Sequence, residues 1–242
     1  MRKVFSVVSR VLLCGIIVLV IGRSAVLSQG ASNATGTSQS PEITDYYRRM
    51  LRYHLRMDGN VPDGAVVFIG DSLTQGLCCD AVACPSVNYG IGSDTTVGVL
   101  ERLSQYRCVS RASAVVLAIG SNDLDRRDDD QILENYQRVL MAIPRCVPVV
   151  CSAVLPVNES LLPASDQGAN ARILGLNARL KALCAGDSRC VFVDAGSRLV
   201  DSEGNLSPSL QDGDGVHLNS DGNRIWIEEL RAAVRKAQSM RL

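Results

Sequence analysis

Five short runs rich in β-branched and other apolar residues, each separated from the next by a stretch of helical period, constrain this chain more than any other feature. The runs are residues 65–70, 86–89, Ala114–Ile119, Val147–Leu155 and Cys190–Val193. They read as short buried parallel strands. The first runs straight into Gly70-Asp71-Ser72 and the third into Gly120-Ser121-Asn122-Asp123. Asp94 reads as the N-cap of a helix with Val97, Leu100 and Leu103 on one face. The acidic run Asp128-Asp129-Asp130 opens another helix, where its charge suits the helix dipole, with Ile132, Leu133, Tyr136, Val139 and Leu140 as its apolar face. After a longer loop, Pro156–Asn170, comes a helix bearing Ile173, Leu176, Leu180 and Leu183, and a closing helix is expected at 221–238. A further amphipathic helix over 43–57, with Tyr47, Met50, Leu51, His54 and Leu55 at helical spacing, is expected to dock on the domain. The alternation predicts an α/β fold, a three-layer α/β/α sandwich around a five-stranded parallel sheet. Right-handed crossovers and the flavodoxin-like strand order 2-1-3-4-5 place the switch point between strands one and three.

Ligands of open α/β sheets bind at the carboxyl ends of the strands, at that switch point. The loops after strands one, two and three therefore converge, and they hold Ser72, Gly90 and Asn122. Taken alone, Gly-Asp-Ser-Leu-Thr reads equally as a turn and N-cap. A serine becomes a nucleophile only when a base takes its proton. The one histidine beyond the first strand is His217, with Asp214 three residues before it. That spacing puts both on one side of a turn, so Asp214 can accept from Nδ1 and leave Nε2 to face the serine. Acyl transfer also needs donors for a developing oxyanion. The Gly90 N–H and the Asn122 side-chain amide are the candidates, and the bland alternatives for them are a bare turn and a loop-capping asparagine.

Together these stretches resemble the SGNH (GDSL-type) hydrolases. Gly70-Asp71-Ser72-Leu73 resembles the nucleophile block, Asn88-Tyr89-Gly90-Ile91-Gly92 the glycine block, Gly120-Ser121-Asn122-Asp123 the Gly-x-Asn-Asp block and Asp214-Gly215-Val216-His217 the closing Asp-x-x-His block. All four occur in family order, and the resemblance spans residues 44–240. It implies Ser72 as nucleophile, His217 as base and Asp214 as its orienting partner. It also implies an oxyanion hole of Ser72 N–H, Gly90 N–H and Asn122. The stretch Gly90–Leu103 is most similar to members like the platelet-activating-factor acetylhydrolase α subunits, which often carry a second glycine where this chain has Ser93. An α/β-hydrolase elbow, Gly-x-Ser-x-Gly, is ruled out locally by Thr74. The expectation is a serine esterase acting on acetyl or acyl esters of a carbohydrate, lipid or small alcohol. The alternatives are an O-acyltransferase using the same triad and a catalytically silent carbohydrate-binding protein.

The first thirty residues are a different material. Arg2, Lys3 and Arg10 precede an uncharged run from Val11 to Gly22, and small and polar residues follow. This reads as a signal peptide over 1–30, with a signal anchor over 5–22 as the alternative. A polar linker over 31–42 then leads to the hydrolase domain, 43–242. The expected location is extracytoplasmic, periplasmic or secreted, with membrane contact only through such an anchor. Lys and Arg number 25 and Asp and Glu 25, a balance that argues against a nucleic-acid partner. The expected partner is a small-molecule, glycan or lipid ester. Eight cysteines follow the leader, an even number that predicts disulfides, with Cys184–Cys190 the best pair and Cys108 with Cys146 a second. Cys78-Cys79 and Cys84 lack a zinc spacing and have no histidine near, so no metal is expected, and no cofactor motif appears. His54 is expected to pack on the docking helix, outside the chemistry. Asn33, Asn158 and Asn205 begin glycosylation sequons that matter only in a eukaryotic secretory pathway.

Overall fold

The computed structural model describes residues 42–240, so the expectations for the leader and for most of the linker lie outside the described residues. Helix α1 (Asp45–Asp58) opens on Thr44, whose hydroxyl accepts from the Tyr47 N–H. Its buried face is Tyr47, His54 and Asp58, while Leu55, expected inside, is exposed. Strand β1 (Val66–Gly70) leads into a single helical turn, α2 (Ser72–Gln75), and then β2 (Ser86–Gly90). Helix α3 (Thr96–Leu103) is followed by β3 (Ala114–Ala118), α4 (Asp129–Ala142) and β4 (Val149–Ser152). Helix α5 (Ala169–Ala185), β5 (Cys190–Val193), the short α6 (Gly196–Leu199) and α7 (Ser220–Ser239) complete the chain.

The sheet is five-stranded and parallel in the order β2-β1-β3-β4-β5, as the alternation predicted. Strand period two sorts its side chains onto two faces. Val67, Ile69, Val115, Leu117, Val149 and Cys151 join a core with Val99 and Leu103 of α3, Ile132 and Val139 of α4 and Leu176 of α5. Val66, Phe68, Val116 and Val150 join the opposite core with Trp226, Leu230 and Val234 of α7. Every residue of β1 is buried, as expected of a central strand covered on both sides. The register sets Gly70 beside Gly90 on one side and Ala118 on the other, so three strand ends finish level at the switch point.

Two local readings change. Strand four was expected to run from 147 to 155, but the strand is Val149–Ser152, paired with β5 throughout and with β3 over Val149–Cys151, and it starts after Pro148, which has no N–H to donate to a ladder. The N-cap of α3 is Thr95, not Asp94. Asp94 is drawn inward instead, where its carboxylate meets the buried Arg102 at 2.7 Å.

The expected disulfides are not formed, and all eight cysteines among the described residues carry free thiols. Cys184 and Cys190 do come together, but with Cys151 as a third sulfur, all within 4.8 Å of one another. Cys108 is buried with its Sγ on the Tyr89 hydroxyl at 3.7 Å, whereas Cys146 is exposed. Asn158 is only 3% exposed and bonded through both side-chain atoms, so in the folded protein it is closed to glycosylation. Among the described residues no helix is long and apolar enough to cross a membrane.

Candidate active site

The site is built where β1, β2 and β3 end. Asp71 caps α2 by accepting from the Leu73 N–H at 3.0 Å, which makes Ser72 the first residue of a helical turn lying across the strand ends. That turn is packed so closely that a Cβ on Gly90 would fall 2.2 Å from the Gln75 amide nitrogen, and one on Gly70 would fall 2.1 Å from the Ala118 carbonyl oxygen. Both glycines are therefore required by close backbone approach. Asn88 pins the turn from the edge strand, donating to the Thr74 and Leu77 carbonyls at 2.7 and 3.1 Å.

His217 arrives from the loop before α7. Its Nε2 lies 2.8 Å from Ser72 Oγ, and its Nδ1 lies 2.5 Å from Asp214 Oδ2. The other Asp214 oxygen accepts the Val216 and His217 amides at 2.9 and 2.8 Å, which fixes the carboxylate against its own turn. With Nδ1–H donated to Asp214, Nε2 is left to accept the serine proton. Partial burial pushes the Asp214 carboxyl up, but the bonds from His217 and the two amides outweigh it and hold it at about 2. Asp71, directly beneath, is pushed up to about 7 because it is fully buried, against the lowering effect of the Leu73 N–H. The loop is braced from β4's side, where the Asn158 N–H donates to the Gly215 carbonyl at 2.7 Å.

The oxyanion side departs from expectation. The Gly90 N–H is already committed to Asn88 Oδ1 at 2.8 Å. As the edge strand, β2 turns that amide away from β1, and the next one, Ile91 N–H, bonds to the Gly70 carbonyl. An unused amide that the sequence reading did not single out is that of Ser93. It has a left-handed φ of 62° and its N–H donates to no group among the described residues. It follows Gly92, whose Cβ position lies 4.0 Å from Ser72 Cβ, so this segment runs against Ser72. The one signal lay in the resemblance, since similar proteins often carry glycine at this position and a left-handed φ favours glycine. Asn122 stands where expected, in the turn after β3, with its Nδ2 donating to the Asp94 carbonyl at 2.9 Å and one further hydrogen to give.

One buried guanidinium ties these parts together. Arg102 bonds Asp94 through Nε at 2.9 Å, the Gly70 carbonyl at 3.0 Å, and the Tyr89 carbonyl at 2.7 Å. Those residues adjoin the Asp71-Ser72 turn, Gly90 and Ser93, and the Asp94 carbonyl in turn holds Asn122. Burial works against the charge on Arg102, but the Asp94 carboxylate more than restores it. His54 lies beside this hub, with Nδ1 at 2.9 Å from the Tyr106 hydroxyl and the ring 4.9 Å from Tyr89. It is 2% exposed and does not reach the site, as expected.

Beside Asn122 and Val216 a cavity of ≈ 300 Å³ opens, walled by Leu124, Leu155, Val157, Leu162 and Ile173, with Asp125 and Arg172 at its polar side. Such a volume is at the small end for ligand sites.

The sequence profile of the GDSL-like Lipase/Acylhydrolase family matches residues 68–225. No curated protein matches the chain in sequence. Among solved structures, a Bacteroides fragilis NCTC 9343 protein provisionally described as an acylhydrolase is 25% identical, with a TM-score of 0.70 over 81% of this chain and 99% of that one. A GDSL-like lipase from Bacteroides thetaiotaomicron VPI-5482 is 22% identical, with a TM-score of 0.67 over 77% and 98%. A carbohydrate esterase family 3 protein from Talaromyces cellulolyticus is 16% identical, with a TM-score of 0.56 over 72% and 98%.

Proposed function

The chain belongs to the GDSL-like lipase/acylhydrolase family, and from that premise we propose that it is a serine esterase working through an acyl-enzyme. The observation that carries this reading is the unbroken hydrogen-bonded line from Ser72 Oγ through His217 to Asp214, at 2.8 and 2.5 Å. His217 Nε2 takes the Ser72 proton as Oγ attacks the ester carbonyl carbon. The carbonyl oxygen takes up the negative charge, facing the Ser72 N–H, the Ser93 N–H and Asn122 Nδ2. The imidazolium, stabilised by Asp214, then gives its proton to the departing alcohol oxygen. Water, deprotonated by the same Nε2, attacks the acyl-serine and releases the acid.

Exposure favours water as the acceptor, because the His217 and Asp214 side chains are 41% and 51% exposed. The cavity beside Asn122 favours a short acyl group or a small ring over a long chain, since its volume is ≈ 300 Å³ and its walls are mixed apolar and polar. The leader-like composition of residues 1–30 supports export, with the ester met outside the cytoplasm.

The test is a series of p-nitrophenyl esters of increasing acyl length, each run with and without sugar acceptors. Turnover falling as the acyl chain lengthens, unaffected by acceptor and absent in Ser72→Ala, is the expected result. Product carrying the acyl group on the sugar would convert the assignment to an acyltransferase. Wild-type rates in the pure Ser72→Ala protein would end the serine mechanism.

A further inference from the structure

The structure carries a second constellation that the ester chemistry does not use. Cys151 lies in β4, Cys184 in the last turn of α5, and Cys190 is the first residue of β5. Their three sulfurs all lie within 4.8 Å of one another. Cys151 and Cys184 are 1% and 2% exposed, while Cys190 is half-buried. Arg189, next to Cys190 in the chain, brings a positive charge to the cluster. Arg189 is itself fixed by Asp187 and by the Leu140, Ile143 and Pro144 carbonyls.

Soft sulfur donors converging from three separate elements are a donor set for thiophilic cations, not for calcium or magnesium, which take oxygen. Zinc–sulfur bonds of about 2.3 Å in a tetrahedron set sulfurs roughly 3.8 Å apart, within about 1 Å of the spacing found here. Three thiolates around a divalent ion carry one net negative charge beside Arg189, whereas around a monovalent ion they would leave two to bury. We infer that Cys151, Cys184 and Cys190 form a binding site for one divalent thiophilic cation of the zinc class, with water completing the sphere on the exposed side of Cys190. The sequence hid the site because the three cysteines share no short motif and meet only through the β4–α5–β5 crossover. Cys190 starts its strand at the amino end of the sheet, whereas Ser72 follows the carboxyl end of β1, so the site ties α5 to two strands and stands apart from ester turnover. It does not rest on the esterase reading.

The experiment uses the full chain, reduced and free of added metal, titrated with Cd²⁺ as the probe. Thiolate-to-cadmium charge-transfer absorption should saturate at one ion per chain, and Cys151, Cys184 and Cys190 alone should become protected from alkylation in mass spectrometry. Cys190→Ser, the half-exposed position, and Cys184→Ala should each lose the band, while Cys146→Ser keeps it. Ester turnover in Cys190→Ser should equal that of the wild type. A band that survives Cys190→Ser, the absence of any band in the reduced protein, or a Cys184–Cys190 disulfide in the protein as purified would each overturn the proposal.

Discussion

Two carboxylate-centred pairs flank Ser72, and they are opposites. Asp214 and His217 sit in an irregular loop with side chains 51% and 41% exposed. Asp94 and Arg102 sit in the core with side chains 1% and 0% exposed. An exposed pair of this kind adds little to stability, because water and salt screen it. It is, however, open to solvent and substrate, which the proposed proton shuttle requires. A buried pair is expensive to desolvate and stands only when its remaining hydrogen bonds are filled. Arg102 fills them with the Gly70 and Tyr89 carbonyls and the Tyr106 hydroxyl. On the proposed mechanism the contrast is a division of labour, in which one pair moves protons and the other fixes the places between which they move.

The sharpest way to break that division is at the exposed pair. His217→Gln and Ser72→Ala should each lower kcat by roughly 10⁵- to 10⁶-fold. Asp214→Asn should cost about 10⁴-fold, since an orienting group is lost rather than the base. None of the three should shift the thermal unfolding midpoint appreciably, because the side chains removed are exposed or partly so. Steady-state kinetics beside a thermal melt checks both halves. A large drop in the melting temperature with Asp214→Asn would mean that the exposed pair is structural after all.

The buried pair should respond in the reverse sense. Arg102→Lys keeps a cation for Asp94, but a point charge cannot span the Gly70 and Tyr89 carbonyls together. The expected cost is about 3 kcal/mol of stability, as for a broken buried pair. With the oxyanion donors loosened, kcat should fall by about 10²-fold. KM should hardly move, because the cavity walls are untouched. Denaturant unfolding and the split between kcat and KM read this directly. A variant that is unstable yet fully active once folded would remove Arg102 from any positioning role.

How much of this was legible in the sequence follows the same divide. The sheet order and the Ser72, His217 and Asp214 line were readable because strand periodicity and short spacings are local signals. The Gly90 amide was misassigned because a glycine needed for close approach of α2 looks, in sequence, like one kept clear for a ligand. Ser93 was missed because the left-handed φ it adopts leaves no mark in its residue type. Asp94 read as an N-cap because its attraction to Arg102, eight residues on and one helix face away, depends on burial, which local pattern does not report. The three-cysteine cluster was invisible for the same reason, and the even cysteine count pointed to bonds that are not formed.

The smallest expected effect on activity comes from the other histidine, and it sharpens the comparison most. His54 stands beside Arg102 and is held down to about 3, first by burial and then by the guanidinium charge. It is therefore neutral wherever the enzyme works. The unfolded chain, with a histidine of ordinary affinity near 6.5, binds a proton that the native state refuses. Its contribution is thus complete above about pH 6.5 and is lost as the pH falls toward 3, at up to about 1.4 kcal/mol per pH unit. His54→Gln removes that dependence, so its stability curve should be flatter over this window, after a loss of about 1 kcal/mol from the Tyr106 hydrogen bond. Activity should follow a different group. A protonated His217 cannot take the serine proton, so kcat/KM should fall on the acid side in both the wild type and His54→Gln, at the same pH. Measuring kcat/KM from about pH 5 to 9 and urea unfolding at the acid end separates the two histidines. If the acid limb of kcat/KM moves in His54→Gln, the buried side does titrate during turnover, and the division between the two pairs fails.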